Sequence, residues 1–405
     1  MTPVDLSPLD RHLVHGQAVG EGLRQVWSVL PEARLVGGVV RDLIAGHTMS
    51  DIDLATPEPP LTVMRRLADA GIRTIATGLA HGTVTALPRG SPIEITTLRR
   101  DQETDGRHAV VAWTADWRED AQRRDFTINA MSLARDRTLF DYFGGADDLA
   151  AGRVRFVGEA ALRIAEDALR ILRFFRFEAR FGCGAPDAAA TAAIEDAVPA
   201  LDRLSAERVW SELRRILVGP GPARTIELMR GLGVLDRLLP GGTTSAALAR
   251  LLPAGLPADP VLRLASLLDG PAAPVAQALR LSGAEAVRLE TLGRPPVPVP
   301  EMDDAELRRL LADEAVEVLD GRAWLAEAAG GGDTPRWAAL RRRLADMPAP
   351  VFPLAGRDVL ACGVPAGPEV GRLLARVRDW WRADGCVAGR VACLDHLRAL
   401  MRSPT

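Results

Sequence analysis

Two aspartates one residue apart, Asp51 and Asp53, follow closely on a glycine pair, Gly37-Gly38. Residues i and i+2 of a strand share a face. Asp51 and Asp53 therefore project together, with Ile52 and Leu54 on the other side. Adjacent carboxylates repel each other unless a cation joins them. Their hard oxygens suit Mg²⁺, which keeps waters and bridges to substrate phosphates. The glycine pair follows a short apolar run and precedes a helical pattern of Val39, Val40, Leu43 and Ile44. A strand, a glycine turn and a helix N-terminus form a corner where bare N–H groups meet an anion. Arg41 and Asp42 sit on that helix. Either half alone is commonplace, as a turn or a solvated strand edge. Together they equip a chain for nucleotidyl transfer.

Three further groups carry polar chemistry. Residues 92–98 alternate as a strand, and Glu94 stands between Ile93 and Ile95. It reads either as a third metal carboxylate or as an exposed strand glutamate. Residues 123–132 place Arg124, Asp125 and Asn129 beside Phe126, Ile128 and Met131. Buried polar groups need partners, so this set either holds ribose hydroxyls or forms a structural salt bridge. Residues 166–180 read as a helix on which Asp167 and Arg170, at i and i+3, project together. That pair sets an acceptor beside a forked donor. Cytosine and adenine present an amino donor next to a ring acceptor; guanine and uracil present the reverse. The pair would accept C and A without a nucleic-acid template, or it is an ordinary ion pair on a solvated face. Arg163, Arg173, Arg176 and Arg180 share its helix, and Arg208, Arg214 and Arg215 lie on a helix over 205–217. These stripes are solvated faces or a surface for an RNA backbone.

The elements that must position these groups divide the chain. Strand candidates are 33–36, 51–54, 73–75, 82–87, 92–98, 110–113 and 138–141, interleaved with helices near 39–45, 61–70 and 118–124. A helix covers much of 1–30. This is a compact α/β unit. Beyond about residue 146 the strand signal nearly vanishes. Helices are expected over 159–180, 187–195, 205–217 and 222–230, with later ones divided by Pro/Gly-rich breaks at 293–300 and 347–350. Residues 356–371 read as a helix, a turn and a new helix near Pro368.

At 405 residues the chain holds more than one core. A hydrophobic content of 47% and a formal charge of −3 describe an ordinary soluble protein, not one coated in nucleic acid, although a local basic surface remains open. No apolar run spans a bilayer, and the N-terminus lacks the pattern of a signal peptide. Cys183, Cys362, Cys386 and Cys393 show neither metal-ligand nor disulfide spacing, which points to a reducing cytoplasm. All 50 Lys+Arg residues are arginine, a bias of a GC-rich genome. Every phosphate contact by a cationic side chain must then be a planar guanidinium contact.

In order along the chain, Gly37-Gly-Val-Val-Arg-Asp, Asp51-Ile-Asp-Leu-Ala-Thr, Arg123-Arg-Asp-Phe-Thr-Ile-Asn-Ala-Met, Glu166-Asp-Ala-Leu-Arg-Ile-Leu-Arg-Phe and Glu207-Arg-Val-Trp-Ser-Glu-Leu resemble the motifs of the class II tRNA nucleotidyltransferases, the CCA-adding enzymes, and of their relatives the bacterial poly(A) polymerases. The resemblance implies an α+β fold: a polymerase-β-like nucleotidyltransferase head (1–145), then an elongated all-α neck (146–220), body (221–347) and tail (348–405). It implies Asp51 and Asp53 as Mg²⁺ ligands with Glu94 as third carboxylate. Gly37, Gly38, Arg41 and Asp42 would handle the triphosphate, and Arg124, Asp125 and Asn129 the ribose and nucleotide pocket. Asp167 and Arg170 would read the base, and Arg208 and Glu212 would support the template helix. The implied reaction is attack of a tRNA 3′-hydroxyl on the α-phosphate of CTP or ATP. The tail would contact tRNA.

Within that family, a glycine block that begins by residue 37 and a C-terminus without a charge run argue against a poly(A) polymerase. A full polar loop over 99–109, able to act as a lever, argues against addition of CC alone. Asp395-His396 stands without the other ligands of a phosphohydrolase domain. A catalytically silent RNA-binding relative would be expected to have lost the carboxylates first. A small-molecule nucleotidyltransferase would not need the Asp167/Arg170 helix.

Overall fold

The computed structural model describes residues 17–47, 52–104, 109–330 and 334–402. Asp51, central to the motif above, lies outside the described residues. The chain forms two compact units, Met1–Leu238 and Leu239–Thr405.

In the first unit a seven-stranded mixed sheet runs in the order β3-β4-β5-β2-β1-β8-β9. Its strands are β1 (Arg34–Val36), β2 (Asp53–Thr56), β3 (Thr74–Gly78), β4 (Thr83–Ala86), β5 (Ile93–Thr97), β8 (Ser132–Leu133) and β9 (Leu139–Phe140). The central β2–β5 pair is parallel and the other pairs are antiparallel. The sheet packs against three helices, α1 (Gln17–Val29), α2 (Gly38–Ile44) and α3 (Pro60–Asp69). Helix α1 buries Leu23, Val26, Trp27 and, just past its end, Leu30. That is the i, i+3, i+4, i+7 stripe of an amphipathic helix. Helix α3 starts with Pro60 at its first turn, where no N–H is needed.

Two features differ from expectation. Residues 99–109, expected as a polar loop, contribute strand β6 (Arg99–Thr104) and open β7 (Ala109–Trp113), a separate antiparallel hairpin. Backbone pairing overrides a sequence with no apolar alternation. The long helix expected over 159–180 is broken into α6 (Ala160–Glu166) and α7 (Leu169–Phe181). Asp167, at the break, has extended backbone, and its Oδ1 accepts the Leu169 N–H at 3.0 Å. Aspartate competes with the helix by bonding the backbone two residues on.

The helices α4 (Trp117–Gln122), α5 (Gly145–Ala150), α8 (Ala188–Ala197), α9 (Ala206–Val218), α10 (Pro222–Gly231) and α11 (Val234–Leu238) complete this unit. An aromatic cluster joins the 3-10 turn Thr127–Asn129 to α7. Phe126 lies 4.8 Å from Phe156, 5.3 Å from Phe177 and 6.3 Å from Phe174, centroid to centroid. Fixing α7 against residues 126–129 is what brings the site together.

The second unit holds no strand among its described residues. One of its cores gathers Leu307, Leu311, Leu319, Trp337, Leu340 and Leu344. Another gathers Val359, Leu373, Val377, Trp381, Cys393 and Leu397. Helix Gly356–Ala361, a turn and helix Pro368–Ala383 follow the sequence expectation.

Phe126 is fully buried, so Phe126→Ala should cost about 3–5 kcal/mol, read as a shift in the denaturant midpoint of the first unit.

Candidate active site

A cavity of about 870 Å³ lies in the first unit. One wall is Gly37, Gly38, Arg41, Asp53, Arg124, Asp125 and Asn129; the other is Arg170, Arg173, Arg176, Phe177, Arg180 and Arg215. Every basic residue of this lining is a guanidinium. Seven guanidiniums against two carboxylates, Asp53 and Asp125, in low-dielectric walls make it a receptor for a polyanion.

Asp53 opens β2 and is in register with Glu94 on the parallel strand β5. Paired residues on neighbouring strands, about 4.8 Å apart, point to one face. Ile93 and Ile95 are buried on the other face, and Glu94 is exposed. The donor set on this face is carboxylate oxygen, which suits a hard divalent cation. Among the described residues no three such ligands gather; Asp51 lies outside them.

The glycine corner is built by conformation. Gly37 caps α2 with φ +69°, and a Cβ there would lie 2.8 Å from Arg124 Nη1. Arg41 is buried and committed: Nε and Nη2 donate to Asp42 Oδ1 at 2.9 and 2.8 Å, and Nη1 donates to Asn129 Oδ1 at 2.5 Å. Its guanidinium stacks 4.6 Å from Phe181 and 5.0 Å from Phe177. Arg41 is thus a strut that fixes the corner, and Asp42 also faces Arg180 at 3.4 Å.

Asp125 accepts from the Phe126 N–H at 2.9 Å, Asn129 Nδ2 at 3.0 Å and Arg173 Nε at 2.7 Å. Burial pushes its carboxyl up, but Arg173, Asn129 and the Phe126 amide outweigh that and hold it below the usual range. Arg124 donates to the Asn129 carbonyl at 3.3 Å and to Asp120 at 3.1 Å. Arg124, Asp125 and Asn129 are therefore one connected wall.

Asp167 and Arg170 are in the same region but their side chains are not paired. Asp167 Oδ2 accepts from Arg208 at 2.7 Å. Arg170 donates to Glu166 at 2.6 Å, to the Arg163 carbonyl at 3.0 Å and to the Arg123 carbonyl at 3.1 Å. The helix break explains the difference: the i, i+3 geometry of a continuous helix does not hold across Asp167. Arg170 lines the main cavity, whereas Asp167 and Arg208 line a second one of about 670 Å³. Glu212, on α9, is buried between Arg176 at 2.7 Å and Arg215 at 3.7 Å. It supports the arginine wall directly.

Arg173, Arg176 and Arg180, at i, i+3 and i+7 on α7, and Arg215 on α9 read from the sequence as solvated faces or a surface for an RNA backbone; in the structure they line the cavity. Phe177 and the buried Asp120 gave no sequence signal.

Residues 33–155 match the family described as Poly A polymerase head domain. Residues 186–245 match the family described as Probable RNA and SrmB- binding site of polymerase A. The sequence is 37% identical over 374 residues to CCA tRNA nucleotidyltransferase 1, mitochondrial, of Homo sapiens, covering 87% of this chain and 83% of that protein. The chain belongs to the CCA-adding tRNA nucleotidyltransferase family. A CCA-adding enzyme of the same family from Geobacillus kaustophilus (strain HTA426) is 33% identical over 373 residues, covering 87% and 88%. The crystal structure of the Bacillus stearothermophilus CCA-adding enzyme in complex with CTP superposes with a TM-score of 0.74 at 26% identity, covering 94% of this chain and 98% of that one. The α+β head and helical remainder are those of the family. Membership carries with it the use of a divalent metal ion. Among the described residues no helix is long and apolar enough to cross a membrane.

Two outcomes are expected. Gly37→Ala puts a Cβ on a backbone with φ +69° and ψ −125°, at a cost of about 1–3 kcal/mol, and displaces Arg124, so the KM for nucleotide should rise with little change in the circular dichroism spectrum. Asp125 has a folded pKa below its unfolded value of about 3.9. Its contribution to stability is therefore complete above that value and lost as pH falls through the folded pKa. Asp125→Asn should start from a lower melting temperature at pH 7 and fall less steeply than the wild type between about pH 5 and 2.

Proposed function

We propose that the protein adds CCA to the 3′ end of tRNA, using CTP and ATP and releasing pyrophosphate. The observation that carries this reading is the arginine-lined cavity, which has Asp53 and the glycine corner on its opposite wall. A triphosphate fits the charge of that cavity, and Asp53 lies where its α-phosphate would meet a hydroxyl.

Each residue then has a task. The Gly37 and Gly38 backbone receives the triphosphate, with Arg41 and Asp42 holding the corner in shape. Arg124, Asp125 and Asn129 fix the ribose. Arg170 and Asp167 read the amino-donor and ring-acceptor edge shared by C and A, each moving from its present partner, Glu166 or Arg208, toward the base. Glu212 holds the arginine wall. Asp51, Asp53 and Glu94 would hold Mg²⁺. A bound Mg²⁺ supplies phosphate charge neutralisation and a lowered pKa for the attacking hydroxyl. The protein's own contribution is alignment of the 3′-hydroxyl with the α-phosphate and exclusion of water.

The tRNA is the second substrate, and we assign head, neck, body and tail to residues 1–145, 146–220, 221–347 and 348–405, with the tail on the tRNA. Four free cysteines support a reducing, cytoplasmic setting.

The test is primer extension of a tRNA transcript lacking its CCA, with Mg²⁺. CTP alone should add CC, and CTP with ATP should complete CCA. Long A tracts on unrelated RNA would make the protein a poly(A) polymerase, and arrest at CC a CC-adding enzyme. Asp53→Ala should lower the rate by a factor on the order of 10² to 10³ or more while tRNA binding persists.

A further inference from the structure

Asp120 is not itself part of the cavity lining, yet it is 3% exposed and its carboxylate is held by several donors. Its Oδ1 accepts from Arg123 Nε at 2.9 Å and from the Arg99 backbone N–H at 3.3 Å, and lies 2.8 Å from Arg123 Nη2. Its Oδ2 accepts from Arg124 Nη2 at 3.1 Å. Arg123 and Arg124 close the end of Asp120's own helix α4, Arg99 lies outside it, and each leads to a different place. Arg99 is the first residue of the β6–β7 hairpin. Arg124 lines the cavity and fills the space a Gly37 Cβ would take. Arg123 presents its carbonyl to Arg170 Nη2 at 3.1 Å. The preceding carbonyl, Gln122, accepts from Arg163 at 3.0 Å. The carbonyls at the end of α4, which have no partner within the helix, are thus held by arginines of α6 and α7.

We propose that Asp120 is a positioning residue that ties the hairpin to the nucleotide wall and sets the resting position of Arg170, so that it governs base selectivity without touching the nucleotide. The inference rests on the reading of Arg170 as a base reader.

The chemistry requires a carboxylate at this position. An ionised carboxylate only accepts, and all of its neighbours here only donate. Burial pushes the carboxyl up, and Arg124 and Arg123 more than reverse that, so the charged form is the working one. An asparagine turns one oxygen into an NH₂ group that faces a guanidinium, donor against donor. Either Arg123 or Arg124 then loses its anchor, and the carbonyl that holds Arg170 shifts with the end of α4.

The experiment compares wild type, Asp120→Asn, Asp120→Glu and a control, Glu327→Gln, in primer extension on a tRNA lacking CCA. Glu327 is equally buried, pairs with Arg341 and lies in the second unit. The readout is the ratio of kcat/KM for CTP to that for UTP, with melting temperature measured in parallel. Loss of one charge-assisted hydrogen bond corresponds to roughly ten- to a hundredfold. Asp120→Asn should lower the ratio by about tenfold, and Asp120→Glu should restore it to within about threefold of wild type. Glu327→Gln should lower the melting temperature and leave the ratio unchanged. A ratio within twofold of wild type in Asp120→Asn, with only the melting temperature lowered, overturns the proposal. An equal fall of the ratio in Glu327→Gln also overturns it. If Asp120→Asn does not fold, Arg123→Gln releases the same anchor and is judged by the same ratio. Arg170→Ala separates the readings: if it leaves the ratio unchanged, the base-reader assignment fails, and this inference with it. A wild type that extends nothing sinks the functional reading itself.

Discussion

A cavity lined by guanidiniums holds together only if carboxylates behind the wall balance them. Each arginine of this site that is well buried has such a backing. Asp42 holds Arg41, Asp120 holds Arg124, Asp125 holds Arg173, Glu166 holds Arg170 and Glu212 holds Arg176. Removing one member of such a pair strands a charge away from water, which costs far more than a surface ion pair is worth. The carboxylates in turn sit on elements fixed by apolar packing. Phe126 and its aromatic neighbours press α7 against the turn that carries Asn129. The aromatic cluster therefore sets the positions of the charges around it, and Phe177 itself lies under the guanidiniums of Arg41 and Arg176.

The same logic recurs in the second unit, away from any proposed chemistry. Arg341 pairs with Glu327 at 2.6 Å and stacks 3.4 Å from the Trp324 ring. Arg322 is almost wholly buried, donating to the Thr291 and Pro296 carbonyls and to Glu314. These are satisfied networks that fix one arrangement of a helical core. Buried arginine in this chain is a building material first and a ligand second.

The local units of the fold were legible in the sequence because each carried its own periodicity. The stripe Leu23, Val26, Trp27 and Leu30 announced a helix, and the alternation around Glu94 announced a strand. The glycine corner was legible because a glycine pair stands just before a helical pattern, and the combined φ +69° and ψ −125° of Gly37 is backbone that favours glycine. Three things were not. The hairpin over Arg99–Thr104 has polar residues in unbroken succession, so nothing local distinguishes strand from loop. The break at Asp167 is hidden because apolar periodicity continues on both sides of it, and one aspartate side chain makes the difference. The backing carboxylates, Asp120 above all, look like solvated helix residues until packing closes over them. Which charges face a cavity and which stand behind it is a tertiary fact.

The absence of lysine has a consequence for how this site meets its environment. A guanidinium keeps its proton at any pH a cell reaches, so the charge of the cavity wall does not drift with acidity. Nor does the chain offer a side-chain amine to acylation, the modification by which cells commonly erase a positive charge. The polyanion receptor is therefore built from a cation that neither pH nor amine chemistry can switch off, and any control over it must act through shape or through occupancy.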